Sequence, residues 1–391
     1  MNELFNFNFN TTPNIIFGSN ILLSSVSEIK NILGPRIFLI SDPTLSKIGL
    51  YNSLVDHLIS KGIKIKIFDK VNEDPSIENL PAIEEATIFL ATGVIGFGGG
   101  SPMDVAKLTA LMLGSNDKID EIWGVDKVEG PRLPLILIPT TAGTGSEVTP
   151  ISIITWSNSE KKGVSSKVII PDLAILDPIL TSDLPSKTTA STGIDAMVHA
   201  IEAFTSKSKN NNPISKALAE KSLMLLSDSI IKAVENGKND AVARNQMLLG
   251  SLMAGMSFAN SPVAAVHALA YPLGGIYKIT HGLSNALILP YVIRFNMKDD
   301  ETRDSYLHLS DIIFPQLKHI KYLEDKTLAF VNEFINLSKR FNLPTRIRDL
   351  GIPKKACKTM SIEAMKQERL LINNPIRIKQ EDALKIYEQA W

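Results

Sequence analysis

Over residues 1 to 180, short apolar runs alternate with stretches of helical texture. Arg36-Ile37-Phe38-Leu39-Ile40-Ser41-Asp42 is a buried strand that stops in a polar turn. Ile63-Lys64-Ile65-Lys66-Ile67-Phe68 alternates with period two, as a strand at a sheet edge does. Val94 to Phe97 runs into a glycine cluster, Leu135 to Ile138 stops at Pro139, and Leu173 to Leu176 stops at Asp177-Pro178. The alternation of Phe5, Phe7 and Phe9 with Asn6, Asn8 and Asn10 predicts one more half-buried strand. Strands separated by helical segments need crossover connections. The expectation is an α/β domain over residues 1–180 with a mostly parallel, Rossmann-like sheet.

From residue 181 the texture changes. Apolar positions recur every three or four residues, as in Ala217 to Leu226 and Met247 to Met256, in a background of Ala, Leu, Met, Lys and Glu. Asn211-Asn212-Pro213 and Pro272-Leu273-Gly274-Gly275 read as breaks between helices, and Lys207 to Asn212 as a solvated loop. Residues 181–391 are expected to form an all-helical domain.

Composition narrows the function. The 391 residues carry 41 basic and 41 acidic side chains, so there is no basic excess to neutralise nucleic-acid phosphates or an anionic membrane surface. The apolar content of 44% supplies sizeable cores and excludes general disorder. A single cysteine, Cys357, can form neither an internal disulfide nor a cysteine-rich zinc site. With no evident signal peptide and no continuous apolar span, the expectation is a cytoplasmic protein.

Two turns and one cluster carry the candidate chemistry. Gly96-Phe97-Gly98-Gly99-Gly100-Ser101-Pro102-Met103-Asp104 links a strand to a helix, with Ser101 expected as its cap and Pro102 as its first residue. Free N–H groups at such a helix end suit a pyrophosphate; a bare strand-to-helix turn reads the same way. Pro139-Thr140-Thr141-Ala142-Gly143-Thr144-Gly145-Ser146-Glu147-Val148-Thr149 offers small hydroxyls suited to a ribose or nicotinamide, or simply a capping loop. Asp42, at the end of its strand, suits the ribose hydroxyls of NAD and disfavours the extra phosphate of NADP; it reads equally as a turn aspartate before Pro43.

His57, His308 and His319 sit in mixed-charge stretches and read as surface residues. The other three histidines sit in apolar surroundings. Asp195 and His199 are one helical turn apart, and His267 and His281 fall on two adjacent elements. One buried carboxylate and three imidazoles suit Fe2+ or Zn2+ without a thiolate, and one anionic ligand leaves such a site at net +1.

These motifs together resemble the iron-containing (group III) alcohol dehydrogenases over nearly the whole chain. The matching stretches are Ile16-Phe17-Gly18, Gly98 to Asp104, Pro139 to Thr149, Pro171 to Pro178, Thr192 to Glu202, His267 to Gly275, His281 to Ala286 and Pro290. The resemblance implies a dehydroquinate synthase-like architecture, with a dinucleotide-binding N-terminal domain, a helical C-terminal domain and a catalytic cleft between them. It implies metal binding by Asp195, His199, His267 and His281. It puts Gly99, Gly100, Ser101 and Asp104 at the NAD pyrophosphate, and Thr140, Thr141, Thr144, Thr149 and Lys162 at nicotinamide and ribose. Asp42 falls at the adenosine ribose. A homodimer or larger homo-oligomer is implied, as is a small alcohol or aldehyde substrate. Phe258 is a candidate pocket residue.

One position departs from the alcohol-reducing members: Tyr271 stands where many carry a further histidine, four residues after His267. A tyrosine there also resembles the hydroxyacid–oxoacid transhydrogenase branch, in which a tightly bound cofactor serves two substrates. Tyr271 is the candidate for proton relay. A metal-dependent lyase or hydrolase on a related scaffold, as in dehydroquinate synthase, or a non-catalytic binder of metal or nucleotide, fits the motifs less well.

Overall fold

The computed structural model describes residues 6–156 and 161–391. Six parallel strands form the main sheet: β1 (Asn14–Phe17), β2 (Arg36–Ile40), β3 (Lys64–Phe68), β4 (Gly93–Gly98), β6 (Leu135–Pro139) and β9 (Leu173–Leu176), in the order β1-β9-β6-β4-β2-β3. The chain runs outward from β2 to β3 and then returns to build β4, β6 and β9 on the other side of β2. That reversal is a topological switch point between β2 and β4, and parallel sheets bind ligands at the carboxyl ends of strands beside such a point.

The apolar strand runs follow from burial on both faces. Phe38, Ile40, Val94, Leu135 and Leu137 enter one core with the helices Pro81–Phe89 and Gly100–Gly114. The alternate residues Ile37, Leu39, Ile95, Phe97, Ile136 and Ile138 enter the other, with the helices Val26–Leu33 and Asn52–Ser60. A sheet covered on both sides has no polar face, so its strands read as continuous hydrophobic runs. β3 is one of the two edge strands, as its alternating sequence indicates.

A second sheet was not legible in the sequence. β5 (Gly124–Val125), β7 (Ile151–Thr155) and β8 (Lys161–Ser165) form it in the order β5-β8-β7, with β7 and β8 antiparallel. The strand expected at the N-terminus is not formed: residues 6–12 have no regular structure, and Phe5 lies outside the described residues. The Asn8 N–H donates to Asn210 Oδ1, and Asn210 Nδ2 donates back to the Asn8 carbonyl, so a side-chain amide takes the place of a neighbouring strand.

The chain forms two compact units, one of Asn10–Asp183 and one of the N-terminal residues up to Phe9 with Leu184–Trp391. The second is helical. Its long helices include Ser186–Thr205, Pro213–Asn236, Ala241–Asn260, Ala265–Tyr277 and His281–Asn296. Asn212 caps the second of these through its side chain, with Pro213 at the first helical position. The loop before it is not simply solvated. Asn212 is buried, and Asn210 Nδ2 also donates to the Asn260 carbonyl.

Pro272 does not end a helix. The Ala265–Tyr277 helix continues through it and stops at Lys278, which takes a left-handed conformation. Val266, Leu269 and Leu273 are buried along this helix, and their burial outweighs the one backbone bond that proline removes. Cys357 is also buried, in the helix Ala356–Met365. Among the described residues no helix is long and apolar enough to cross a membrane.

Candidate functional site

Asp42, Gly98 to Gly100 and Thr140-Thr141 follow β2, β4 and β6, three adjacent parallel strands, at their carboxyl ends. The turns are joined directly. Ser41 Oγ donates to the Phe97 carbonyl at 2.9 Å, and the Thr140 N–H donates to the Gly98 carbonyl at 2.9 Å. Gly98 has φ +149°, a conformation that L side chains rarely adopt, and a Cβ there would meet Pro102 Cγ at 2.8 Å and Asp42 Oδ2 at 3.4 Å. A Cβ on Gly100 would meet Thr144 at 3.0 Å. The structure therefore brings Asp42, Gly98 to Gly100, Thr141 and Thr144 into one neighbourhood.

The helix after β4 starts earlier than the sequence suggests. It runs Gly100–Gly114, with Gly99 at the cap position and no side-chain cap, so neither Ser101 as cap nor Pro102 as first residue holds. The glycines tolerate the tight approach, which lets the helix begin at Gly100. Ser101 and Pro102 lie within its first turn, where N–H groups have no helical acceptor and the missing proline donor costs nothing. Asp42 caps the next helix on β2, Pro43–Ile48, with Oδ1 accepting from the Thr44 and Leu45 N–H groups at 2.9 and 3.0 Å. Asp42 is thus both the turn aspartate and a residue of the crevice.

Behind the turns lies a charged cluster that the sequence reading only partly saw. Asp104 Oδ1 accepts from Ser146 Oγ and Oδ2 accepts from the Ile153 N–H. Lys107, fully buried three residues later, donates to Ser146 Oγ at 2.8 Å, Thr149 Oγ1 at 3.2 Å and the Ile151 carbonyl at 2.7 Å. Asp104 and Thr149 therefore bind the Gly100–Gly114 helix to the polar turn. Burial raises the Asp104 carboxyl against the pull of Lys107, brings the Lys107 ammonium down to about 8 and pushes Glu147 up to about 7. Thr140 is buried. Lys162 lies on β8 of the small sheet, its ammonium 4.8 Å from the Trp156 ring centroid.

In the helical unit, three helices supply the other cluster. Asp195 and His199 sit one turn apart on Ser186–Thr205, His267 lies on Ala265–Tyr277, and His281 is the first residue of His281–Asn296. One ligand-type atom from each lies within 4.8 Å of the others. Gly282 permits the approach: a Cβ there would fall 2.5 Å from the Ser191 carbonyl oxygen and 3.4 Å from Asp195 Cβ. The rings are held by stacking, His199 with Phe258 at 4.4 Å and with His267 at 4.8 Å. Phe258, expected in a substrate pocket, packs face to face on a candidate ligand. Tyr271 has its ring centroid 6.2 Å from that of His281. His57, His308 and His319 are exposed.

Two residues of this centre escaped the sequence reading. Asn285, buried four residues after His281, donates through Nδ2 to Asp195 Oδ1 at 2.6 Å and lies 3.2 Å from His267 Nε2 and 3.3 Å from His281 Nε2. Its Oδ1 is buried without a hydrogen-bond partner. Glu202 accepts from the Val266 N–H through Oε1 and meets His267 Nδ1 through Oε2, each at 2.6 Å. Helical spacing is the signal for both: Glu202 continues the Asp195–His199 face, and Asn285 continues the His281 face.

This donor set fits a divalent cation. The lone pairs of a carboxylate and two imidazoles converge on one amide nitrogen, the geometry that a small cation also requires, and imidazole and carboxylate suit Fe2+ and Zn2+ alike. Burial pushes the Asp195 carboxyl up. The facing His199, His281 and His267 rings and the Asn285 amide outweigh that and hold it below the ordinary carboxylate range.

Fold and site together define a two-unit α/β-plus-helical protein with a switch-point crevice in one unit and a three-histidine, one-carboxylate cluster in the other. Residues 12–178 match the family described as iron-containing alcohol dehydrogenase, and residues 189–391 match the C-terminal part of the Fe-containing alcohol dehydrogenase family. The chain belongs to the iron-containing alcohol dehydrogenase family, and so to the oxidoreductases. It is 38% identical over 375 residues to long-chain-alcohol dehydrogenase 1 of Geobacillus thermodenitrificans, covering 94% of this chain and 92% of that one. Its fold is similar to the alcohol dehydrogenase from Oenococcus oeni, with a TM-score of 0.93 at 29% identity, covering 99% of this chain and 100% of the other. It is also similar to sulfoacetaldehyde reductase from Bifidobacterium kashiwanohense in complex with NAD+, with a TM-score of 0.86 at 27% identity over 99% of each chain.

Proposed function

We propose that this protein is a metal-dependent dehydrogenase that moves hydride between NAD(H) and a small primary alcohol or its aldehyde. The observation that carries the reading is the convergence of Asp195, His199, His267 and His281 within 4.8 Å in buried surroundings. These four residues would hold Fe2+, with Zn2+ also compatible. The Gly98 to Gly100 turn and the start of the Gly100–Gly114 helix would receive the cofactor pyrophosphate, with Thr140, Thr141, Thr144 and Lys162 toward ribose and nicotinamide. Asp42 would favour NAD over NADP. The NAD+ named in the Bifidobacterium kashiwanohense reductase complex supports the choice of cofactor.

When bound, the ion supplies Lewis acidity toward a substrate oxygen, and the dinucleotide supplies the hydride acceptor or donor. The chain's own residues prepare both. Asp195 stays ionised because three imidazoles face it, so a donor of full negative charge is available at neutral pH. The stack of Phe258, His199 and His267 fixes two ring planes. Lys107 and Asp104 hold the polar turn against the Gly100–Gly114 helix, which keeps the threonine hydroxyls in place. Tyr271, beside His281, would relay the alcohol proton. A tyrosine hydroxyl both donates and accepts a hydrogen bond, which suits it to pass a proton along a hydrogen-bonded chain.

Relatives named for long-chain alcohols and for sulfoacetaldehyde bracket a wide substrate range. The direct test is a screen of short and long alcohols, diols and aldehydes with anaerobically iron-loaded protein, NAD and NADP in parallel, and metal content measured on the same samples. The reading expects metal-dependent, NAD-preferring nicotinamide absorbance changes. Absence of any change across the panel would remove it. Tyr271 supports a second reading, a hydroxyacid–oxoacid transhydrogenase. That enzyme would turn over only with both acids present and without added NAD.

A further inference from the structure

Glu202 is 3% exposed and yet both its oxygens are occupied. Oε1 accepts from the Val266 N–H at 2.6 Å, and Oε2 meets His267 Nδ1 at 2.6 Å. A buried carboxylate is costly unless donors satisfy it. The Val266 donor is a peptide N–H and cannot be lost. The ring donor is a choice of tautomer, and a bare Nδ1 would set one lone pair against another. The proton of His267 therefore sits on Nδ1, and Nε2 is left with its lone pair directed at the point where Asp195, His281 and the Asn285 amide meet.

We infer that Glu202 is the second anion of the metal centre, a positioning residue that fixes the tautomer and orientation of His267 and delivers negative charge through its ring. This rests on the metal reading above and deepens it. Stacking between His199 and His267 fixes the plane of the ring but not which nitrogen points inward. The Glu202 hydrogen bond decides that. Counting Glu202, two negative charges face a divalent ion, so the centre is neutral rather than at the +1 that Asp195 alone would leave. Neutrality lowers the cost of enclosing the ion in a buried site, and the hydrogen-bonded carboxylate strengthens the ring as a donor.

The same carboxylate also satisfies an N–H in the first turn of the Ala265–Tyr277 helix, where no helical acceptor exists. A purely structural role would be confined to that bond, and substitution separates the two roles. In Glu202→Gln the side-chain carbonyl stays with the fixed Val266 N–H, and the NH2 group then faces His267. It forces the ring proton onto Nε2 and removes the lone pair from the centre. Glu202→Asp keeps two acceptors on a shorter stem.

The experiment measures metal dissociation constants by competition with a chromophoric chelator for the wild type, Glu202→Gln and Glu202→Asp. Melting of the metal-free proteins and the visible d–d spectra of their Co2+ forms are recorded alongside. The expected result is about 10- to 100-fold weaker binding in Glu202→Gln, an altered Co2+ spectrum, partial recovery in Glu202→Asp, and similar melting of the metal-free wild type and Glu202→Gln. Wild-type affinity and an unchanged spectrum in Glu202→Gln would overturn the inference. So would a Glu202→Gln whose only defect is lowered metal-free melting, since that is the helix-end role alone. If Glu202→Gln fails to fold, the Asp variant decides: weakened metal binding with a changed spectrum supports the inference, and wild-type values overturn it. A wild type that takes up metal but reduces no aldehyde leaves this inference standing and removes only the dehydrogenase reading. A wild type that takes up no metal removes both.

Discussion

Single side chains divide here into those that residue type marks as candidates in the sequence and those that only burial marks. Asp195, His199, His267 and His281 are rare residue types in apolar runs and could be picked out before any fold was known. Replacing Asp195 or His267 with Ala is expected to drop metal content from near one ion per chain to background, read by elemental analysis. Glu147 is the opposite case: nothing in Gly145-Ser146-Glu147-Val148 marks a buried carboxyl, and only its 1% exposure does. Folded, it holds its proton up to about pH 7 because burial disfavours the charge; unfolded, it releases it near the ordinary 4.5. Between those values the folded state binds more protons, so this group's contribution to stability is lost as pH rises. Glu147→Gln should match the wild type at acid pH and become progressively more stable than it up to about pH 7, measured by denaturant midpoints across that range.

Elements were legible where one periodicity ruled and obscure where tertiary contacts overrode it. The four buried strands β2, β4, β6 and β9, the alternating edge strand β3 and the long helices stand out as runs or repeats. β7 and β8 did not, because fully buried positions are few in them, Ser152, Ile154 and Val164, and Lys161-Lys162-Gly163 carries no apolar signal. Pro272 misled because burial of the surrounding helix outweighs a lost hydrogen bond. The N-terminal alternation misled because Asn210 supplies the partners a strand would have had. Two glycines are the element-scale tests. Gly282→Ala drives a methyl group into the Ser191 carbonyl and should cost about 1–3 kcal/mol by overpacking two helices, read in urea unfolding. Gly98→Ala demands a backbone conformation that alanine resists, at a cost of about 1–3 kcal/mol. NAD binding measured by calorimetry should weaken while metal content stays the same.

For the whole molecule, strand-rich texture giving way to helical texture foretold the fold class, and the ordered motifs foretold the family. What the sequence hid is the layer of partners behind the motifs: Lys107 under one turn, Glu202 and Asn285 around the cluster. These are ordinary residues until folding gives them neighbours. The four candidate ligands all come from Leu184–Trp391, and the glycine and threonine turns all come from Asn10–Asp183. Hydrogen exchange with and without metal should therefore gain protection first in Ser186–Thr205, Ala265–Tyr277 and His281–Asn296. NAD should protect the backbone around Gly98 to Gly100 and Thr140 to Thr149. Protection spread evenly over both units on adding metal alone would contradict this division.

The order of the ligands along the chain sets a limit on biosynthesis. Asp195 and His199 are made first, on one helix, and two long helices, Pro213–Asn236 and Ala241–Asn260, separate them from His267 and His281. A nascent polypeptide leaving the ribosome would offer an ion only the first pair until His267 has emerged, and all four groups only after His281. A four-ligand cage would thereby be confined to chains whose translation has passed His281, and a truncated product ending before it would lack one of the four candidate ligands.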